Sequence, residues 1–369
     1  MKKSVLWASL TMFGGIVGAG IFGVPFVFSR AGVLPGLVYV VFLGAAAVAI
    51  NVYYAIVAIE TPGRHRLAGY ARKVLGEKAS LPVAVVSMIE FFGALLVYII
   101  LGGNFLSVIF GGSANLWSLI FLAIAALIML LPLNNSEFVD HFFTVGLIVV
   151  VAVIALMVIP HVKAANIVSV NWAYWFAPYG VLFFALGGSS VIPEMIEVSR
   201  RDKRSALRAV IAGTVAAAVL VGLFGTLIVA VCGAGTTEDA IAGLAQYFGR
   251  PIVVLGSAFG LAAVLTQFVV IGSNIRDEFV YDFKKRRLVG WSLAVGVPLA
   301  AFALGARDFV SIIGFLGATL GAAVGIIIIF MGRKVMAGNA KYAVLRRFAV
   351  PLMMLFVAGL LAEIVSVIL

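Results

Sequence analysis

Charged residues are scarce in this sequence, and their scarcity excludes a soluble protein. They make up 11% of the 369 residues, while hydrophobic residues make up 64%. Soluble domains usually carry roughly 25% charged residues. A core of this size cannot bury so much apolar surface, so the remainder must face lipid. The single cysteine, Cys232, excludes an intramolecular disulfide.

Several chemical signatures are also missing. The three histidines, His65, His141 and His161, do not have metal-ligand spacing with a cysteine or a carboxylate. No Gly-Lys-Ser/Thr phosphate loop occurs, which argues against nucleotide hydrolysis. No repeated filter sequence or charged ring points to a pore. Residues 116–131 and 145–159 do not alternate as the strands of a membrane barrel would. The sequence therefore predicts an all-α membrane protein that is not an enzyme and needs no metal or other cofactor.

The net charge of +11 reflects orientation in a bilayer rather than nucleic-acid binding. Of the 26 basic residues, 22 fall in five clusters. The clusters are Lys2-Lys3, Arg64–Lys78, Arg200–Arg208, Arg276–Arg287 and Arg333–Arg347. Short basic loops are typical of the cytoplasmic side. The partners we expect are a lipid bilayer and a small molecule, and the sequence says nothing about oligomeric state.

Eleven apolar runs are long enough to span a bilayer as helices. We predict spans at 5–31, 35–60, 82–110, 115–132, 138–160, 173–199, 207–233, 251–280, 288–304, 308–331 and 348–369. Placing the N-terminus inside and the C-terminus outside a cytoplasmic (inner) membrane puts all five clusters in the cytoplasm. The chain 1–369 then forms one membrane domain.

The first and sixth spans read as broken helices. Residues 13–25 contain five glycines and Pro25, and the small residues 185–190 precede Pro193. Spans 1 and 6 begin two blocks of five, which predicts inverted repeats over 1–160 and 173–331 with 348–369 as an extra helix. Interrupted helices in matching positions indicate a transporter site near the midplane. The alternative is that the glycines serve close helix packing.

Three motifs carry a resemblance to a known family. They are Gly-x-Val-Gly-Ala-Gly-Ile-Phe-Gly-Val-Pro-Phe at 15–26 with Ala31-Gly32, Phe-Phe-Ala-x-Gly-Gly-Ser at 183–189, and Leu265-Thr266-Gln267-Phe268 with Asp277-Glu278. The chain resembles the amino acid permeases of the amino acid–polyamine–organocation superfamily, and most nearly the amino acid/auxin and aromatic amino acid permeases. The resemblance implies a leucine-transporter-like 5+5 fold, with helices 1 and 6 broken around the substrate.

The same resemblance implies a main-chain site for an amino acid. The N–H groups of Gly18, Ala19 and Gly20 would receive the carboxylate, and carbonyls near Ile16, Phe184 and Ala185 would accept from the ammonium. The full set of implied substrate-binding residues is Ile16, Gly18, Ala19, Gly20, Ile21, Tyr98, Phe184, Ala185, Leu186, Gly187 and Gly188.

The sequence is compatible with either of two coupling ions, sodium or protons. The cation site of the resembling fold maps onto Gly14, Val17, Ala263, Thr266 and Gln267. Gln267 stands where sodium-coupled members carry a second hydroxyl, and Thr266 could instead bond back to its own helix. For protons, ionisable residues inside spans are costly and usually functional, which makes Glu90 and Glu194 the candidates.

The predicted function is secondary transport of a small amino acid, with an aromatic or large neutral side chain compatible, coupled to Na⁺ or H⁺. The alternative is an amino-acid-gated channel or sensor of the same fold.

Overall fold

The chain folds into a bundle of α-helices. The computed structural model describes residues 3–131, 136–199 and 202–368, and within these ranges we find helices and loops without strands. Large apolar side chains stay exposed on its outer surface, with Val41 and Leu156 each 71% exposed. Such a surface is stable against lipid and not against water, so the described helices form a multi-pass membrane domain.

The first half of the chain contains eight helices. They are α1 (Lys3–Ile16), α2 (Gly20–Ala31), α3 (Val33–Glu60), α4 (Leu67–Leu75), α5 (Glu77–Phe110), α6 (Ala114–Leu130), α7 (Ser136–Val158) and the short α8 (Ala164–Val168).

The second half contains eight more. They are α9 (Pro178–Ala185), α10 (Ile192–Val198), α11 (Lys203–Cys232), α12 (Ala245–Tyr281), α13 (Arg287–Ala303), α14 (Phe309–Phe315), α15 (Ala322–Val335) and α16 (Ala343–Ile368).

The described helices account for the predicted apolar spans. Seven segments are long and apolar enough to cross a membrane, and α1 with α2, bent by 58°, makes an eighth. Three shorter apolar helices, Ala114–Leu130, Val151–His161 and Arg287–Ala303, coincide with the other predicted spans. The total of eleven spans and the limits of the two repeats stay predictions.

Both predicted helix breaks are present. The first lies at residues 17–19 between α1 and α2, and the sixth span is interrupted at residues 186–191 between α9 and α10. Pro193 is the second residue of α10, where its missing N–H costs no hydrogen bond. Pro25 instead lies inside α2, as its sixth residue. The prolines therefore do not mark equivalent points of the two breaks.

Several boundaries differ from the prediction. The third span begins at Glu77 rather than at residue 82, because Gly76 at φ 110° ends α4 and lets a new helix start at once. Helix α12 begins at Ala245 rather than 251 and is kinked at Gly249, whose φ is 73°. The sixth span begins at Pro178 rather than 173, and the last at Ala343 rather than 348. The sequence analysis missed α4 altogether.

Glycines allow the backbones of α9 and the tenth span to touch. A Cβ added at Gly180 would lie 2.1 Å from the carbonyl oxygen of Gly314, and one at Gly317 would lie 2.0 Å from the carbonyl oxygen of Gly180. Residues Leu316–Gly321 between α14 and α15 form a π-helical turn beside this crossing. Main-chain atoms cannot rotate away as a side chain can, so this crossing tolerates glycine alone.

We expect Gly180→Ala to destabilise the fold by about 1–3 kcal/mol, because the new methyl overpacks against fixed main-chain atoms. Gly296→Ala, within α13 and with open space around its Cβ position, is the matched control and should change stability by less than about 0.5 kcal/mol. Thermal unfolding of both proteins in detergent measures the difference. Equal melting temperatures would contradict the close backbone crossing.

Candidate functional site

The two helix breaks meet in the middle of the bundle. A Cβ added at Gly20 would lie 2.5 Å from Cα of Ala185, so α2 begins in direct backbone contact with the end of α9. Across the sixth-span break, the space a Cβ would need at Gly188 is filled by side-chain atoms of Ile16 and Met12, both 2.6 Å away. The predicted site residues of the first and sixth spans are therefore brought together.

The first-span break leaves backbone donors unused. The N–H of Gly18 donates to the carbonyl of Ile16 at 2.9 Å, which tightens the turn. Within the described residues, the N–H groups of Ala19 and Gly20 have no hydrogen-bond partner, and both residues are buried. These donors lie at the N-terminus of α2, where the helix dipole also favours negative charge.

The sixth-span break supplies acceptors and space. The N–H of Leu186 donates to Leu182 at 2.9 Å, and that of Gly187 donates to Phe184 at 3.1 Å. A carbonyl oxygen has two lone pairs, so the carbonyl of Phe184 can accept a second hydrogen bond. Gly187 is exposed although it lies in mid-span, with no side-chain atom within 4 Å of its Cβ position. The break thus borders open space.

Two polar side chains face the first-span break from other helices. A Cβ at Gly18 would lie 3.2 Å from Cγ of Gln267 on α12 and 3.4 Å from the hydroxyl of Tyr98 on α5. Tyr98 is 5% exposed and Gln267 is 6% exposed. Ile21, one turn further along α2, is buried and points toward a different cavity.

Both polar side chains mapped to a cation site, those of Gln267 and Thr266, form hydrogen bonds within the protein. Nε2 of Gln267 donates to the carbonyl of Gly14 at 2.6 Å. The hydroxyl of Thr266 donates to Ala262 at 2.9 Å, one turn back on its own helix. Val17 is buried and its N–H completes α1 by bonding to Phe13, while Ala263 is half-buried. In the described structure only Gln267 of this set contacts the carbonyl of Gly14.

Glu90 borders a small cavity beside the sixth-span break. The cavity is about 20 Å³, enough for roughly one water molecule. Its lining is mostly apolar, from Leu67, Phe91, Pro193 and Val324. The polar residues in the lining are Tyr54, Arg66, Ser87, Glu90, Ser189, Ser190 and Asn274. Among the described residues, Oε2 of Glu90 is buried without a hydrogen-bond partner.

An ion-pair cluster closes the cavity at one end of the bundle. Nη1 of Arg66 lies 2.5 Å from Oε1 of Glu194 on α10, and its Nη2 lies 3.1 Å from Oδ2 of Asp277 on α12. Asp277 also pairs with Arg276 at 3.1 Å. Burial lowers the pKa of Arg66, but the charges of Glu194 and Asp277 outweigh it and hold that pKa above its usual value. Arg66 therefore stays charged and joins the two helices.

We call this end of the bundle the basic side, because it carries the loops with Arg64, Lys203, Lys284 and Lys341. Its loops are tied to one another through further pairs. Lys203 contacts Glu60, whose carboxylate also accepts from the Tyr342 hydroxyl at 3.3 Å.

Arg66 is the residue that the sequence analysis did not single out. Its hydrogen-bond partners lie up to 216 positions away, so no local pattern could have identified it. Glu194, named there as a proton-coupling candidate, is the partner that links it to the sixth span.

The opposite side is closed by apolar packing. A cavity of about 10 Å³ is lined by Ile21, Phe22, Phe224, Ile241 and Phe259, with Val151 and Ile154 nearby. Both cavities are far below the roughly 300 Å³ of ordinary ligand pockets. Neither of these two cavities has room for a small-molecule ligand in this conformation.

Comparison with known proteins adds the family. Residues 1–366 match the family model described as tryptophan/tyrosine permease family. The chain is 21% identical over 338 residues to a protein of Aliivibrio fischeri named glutamine transporter 2, covering 87% of this chain and 86% of that protein.

Solved structures share the fold at low sequence identity. Mhp1, a nucleobase-cation-symport-1 family transporter in a closed conformation with bromovinylhydantoin bound, aligns with a TM-score of 0.70 at 16% identity, covering 98% of this chain and 90% of that one. MhsT in complex with L-phenylalanine aligns with a TM-score of 0.65 at 16% identity, covering 98% of both chains. A manganese transporter of Eremococcus coleocola aligns with a TM-score of 0.68 at 13% identity, covering 96% of this chain and 86% of that one. The predicted leucine-transporter-like fold is confirmed.

Replacing Arg66 by Gln should destabilise the closed protein by at most roughly 3 kcal/mol, the lower limit for removing one partner of a fully buried ion pair. The two carboxylates that lose their counter-charge are partly exposed, Asp277 at 19% and Glu194 at 40%. Arg64→Gln is the matched control: its pair with Glu197 is exposed at 68% and 38%, and exposed pairs contribute below about 1 kcal/mol. Thermal unfolding in detergent compares the two, and a smaller effect at Arg66 than at Arg64 would contradict the closing role.

Proposed function

Because the chain belongs to the tryptophan/tyrosine permease family, we propose that it carries an aromatic amino acid across the cytoplasmic membrane. It is a transporter of the leucine-transporter-like fold and not an enzyme. The proposal concerns its substrate, the residues that bind it, its orientation and its coupling ion.

The observation that carries the proposal is the pair of unused backbone donors at Ala19 and Gly20. A buried N–H without a partner costs free energy, and membrane interiors offer no water to replace it. A bound carboxylate would receive both hydrogen bonds at the positive end of α2. The pairing of Gly18 with Ile16 means that the carboxylate relies on Ala19 and Gly20 unless the turn opens.

The substrate ammonium would lie at the facing end of α9. The carbonyl groups of Phe184 and Ala185 end that helix, where the dipole favours positive charge. A zwitterion is then held without any buried side-chain charge. Tyr98 is placed to donate its hydroxyl to the carboxylate, because it borders Gly18.

The substrate side chain would extend toward the sixth-span break. Ala185 has a small side chain and Gly187 has none there, and Gly187 is exposed. The family description favours an indole or phenol ring, and the L-phenylalanine bound to MhsT is likewise an aromatic amino acid. The name of the Aliivibrio fischeri relative makes glutamine the competitor that the test must include.

We place the basic side in the cytoplasm, with the N-terminus inside and the C-terminus outside. The distribution of Lys and Arg supports this orientation through the positive-inside rule. The Arg66 cluster would then close the cytoplasmic exit, and the apolar packing around Ile241 would close the outer entrance.

We assign the coupling to protons and the proton to Glu90. Its Oε2 is buried without a partner, beside a water-sized cavity that reaches the sixth-span break at Ser189 and Ser190. A carboxylate in such a place is costly when charged. Glu90 would take up a proton when the substrate enters and would release that proton to the cytoplasm after the Arg66 cluster opens. The movement of the proton would then be coupled to the movement of the substrate.

Filling the open space at the sixth-span break tests the substrate site. We expect Gly187→Val to lower tryptophan uptake into proteoliposomes by more than about tenfold, because its side chain occupies the path of the substrate ring. Its melting temperature should match that of the control Gly296→Val. Competition by unlabelled tryptophan, tyrosine, phenylalanine and glutamine identifies the substrate class. Undiminished uptake by Gly187→Val, or competition by glutamine alone, would contradict the proposed site or substrate.

Removing the titratable group tests the coupling. We expect Glu90→Gln to abolish accumulation driven by an inward proton gradient while retaining exchange of labelled for unlabelled substrate, since the neutral amide mimics the protonated acid. The exposed residue Glu77, at the start of the same helix, provides the control Glu77→Gln. If Glu90→Gln accumulates substrate at the wild-type level under a proton gradient, Glu90 does not carry the coupled proton.

A further inference from the structure

The break in the first span frees one particular carbonyl oxygen. In a continuous helix the carbonyl of Gly14 would accept the N–H of Gly18. That N–H donates instead to Ile16 at 2.9 Å. The oxygen of Gly14 therefore needs another partner inside the bundle, and either a hard cation or a hydrogen-bond donor would satisfy it.

The partner in this chain is the side-chain amide of Gln267, at 2.6 Å. A backbone carbonyl can only accept, so the end of the amide that faces Gly14 must be its NH₂ group. An oxygen there would place two acceptors in contact without a donor. The contact thus fixes the orientation of the Gln267 side chain by chemistry alone.

An NH₂ group in this position excludes a cation. Its partial positive charge lies where a cation would bind. The 2.6 Å between Nε2 and the Gly14 oxygen is about the length of an oxygen–metal bond, which is roughly 2.3–2.6 Å for Ca²⁺. The neighbouring hydroxyl of Thr266 is bonded to Ala262 on its own helix.

We propose that Gln267 takes the place of a coupling cation: its amide ties α12 to the broken first span, so transport does not require sodium. The inference rests on the proposed transport function and makes Gln267 a positioning residue. Its side chain also borders Gly18, so the same hydrogen bond holds the turn that presents Ala19 and Gly20 to the substrate.

The consequence is a change of ion dependence when the donor is removed. Gln267→Glu replaces NH₂ by oxygen at nearly constant shape, and at a pH high enough to keep the new carboxylate ionised it requires a cation between itself and the Gly14 carbonyl. We expect this variant to take up tryptophan poorly in choline chloride and roughly fivefold or more faster in sodium chloride at the same pH. Gln267→Ser, which sets a hydroxyl beside Thr266, should also take up tryptophan faster in sodium chloride than in choline chloride.

The experiment compares wild type, Gln267→Glu, Gln267→Ser and the control Gln246→Glu, whose residue is exposed at the far end of α12. Uptake and melting temperature are each measured in sodium chloride and in choline chloride. Wild type and Gln246→Glu should give equal values in both salts, while sodium should raise the melting temperature of Gln267→Glu.

Sodium stimulation of the wild-type protein overturns the inference. So does a Gln267→Glu protein whose uptake and melting temperature ignore sodium; if that protein does not fold, the same outcome for Gln267→Ser decides. Folded wild-type protein that takes up no amino acid in either salt refutes the proposed function. In that case the melting temperatures still test the role of Gln267.

Discussion

The structure depends on where backbone hydrogen bonds are left unmade in a solvent that cannot replace them. Lipid forces each spanning segment to satisfy its own N–H and C=O groups. Two segments of this chain do not, at residues 17–19 and 186–191. Because those breaks touch at Gly20 and Ala185, their free groups lie close together and form a polar centre within the bundle.

The rest of the bundle maintains and encloses that centre. Gln267 satisfies the carbonyl of Gly14 from α12, and Nδ2 of Asn274 on the same helix donates to the carbonyl of Ser190 in the sixth-span break at 3.2 Å. One helix is thus bonded to both broken spans. Arg66 joins α12 to α10 at the basic side. If either broken span moves relative to α12, these hydrogen bonds must break. They are therefore the bonds that alternating access would have to exchange.

The sequence was sufficient to predict the helical membrane fold, because twenty-residue apolar runs have few other solutions in lipid. It also located both breaks from their glycines, although Pro25 and Pro193 proved to lie at different distances from them. Apolar runs and glycine clusters determine the backbone conformation of their own segments, so the spans and both helix breaks could be predicted from the sequence.

Other parts of the site could not be predicted from local composition. Gln267 was identified as a possible oxygen ligand, and in the described structure its Nε2 donates to the carbonyl of Gly14. That distinction depends on which groups 253 positions apart face each other. The π-helical turn at Leu316–Gly321 and the role of Arg66 likewise follow from packing between distant segments. Helix-forming residues alone do not encode these contacts.

The most direct measurement of the central claim is competition against labelled tryptophan uptake by analogues that lack one charged group. Tryptamine lacks the carboxylate, and indole-3-propionate lacks the ammonium. If backbone groups of the two breaks hold both charges, tryptophan competes and neither analogue does at equal concentration. Competition by tryptamine as strong as that by tryptophan would contradict carboxylate binding at Ala19 and Gly20, and with it the account of why the first span is broken.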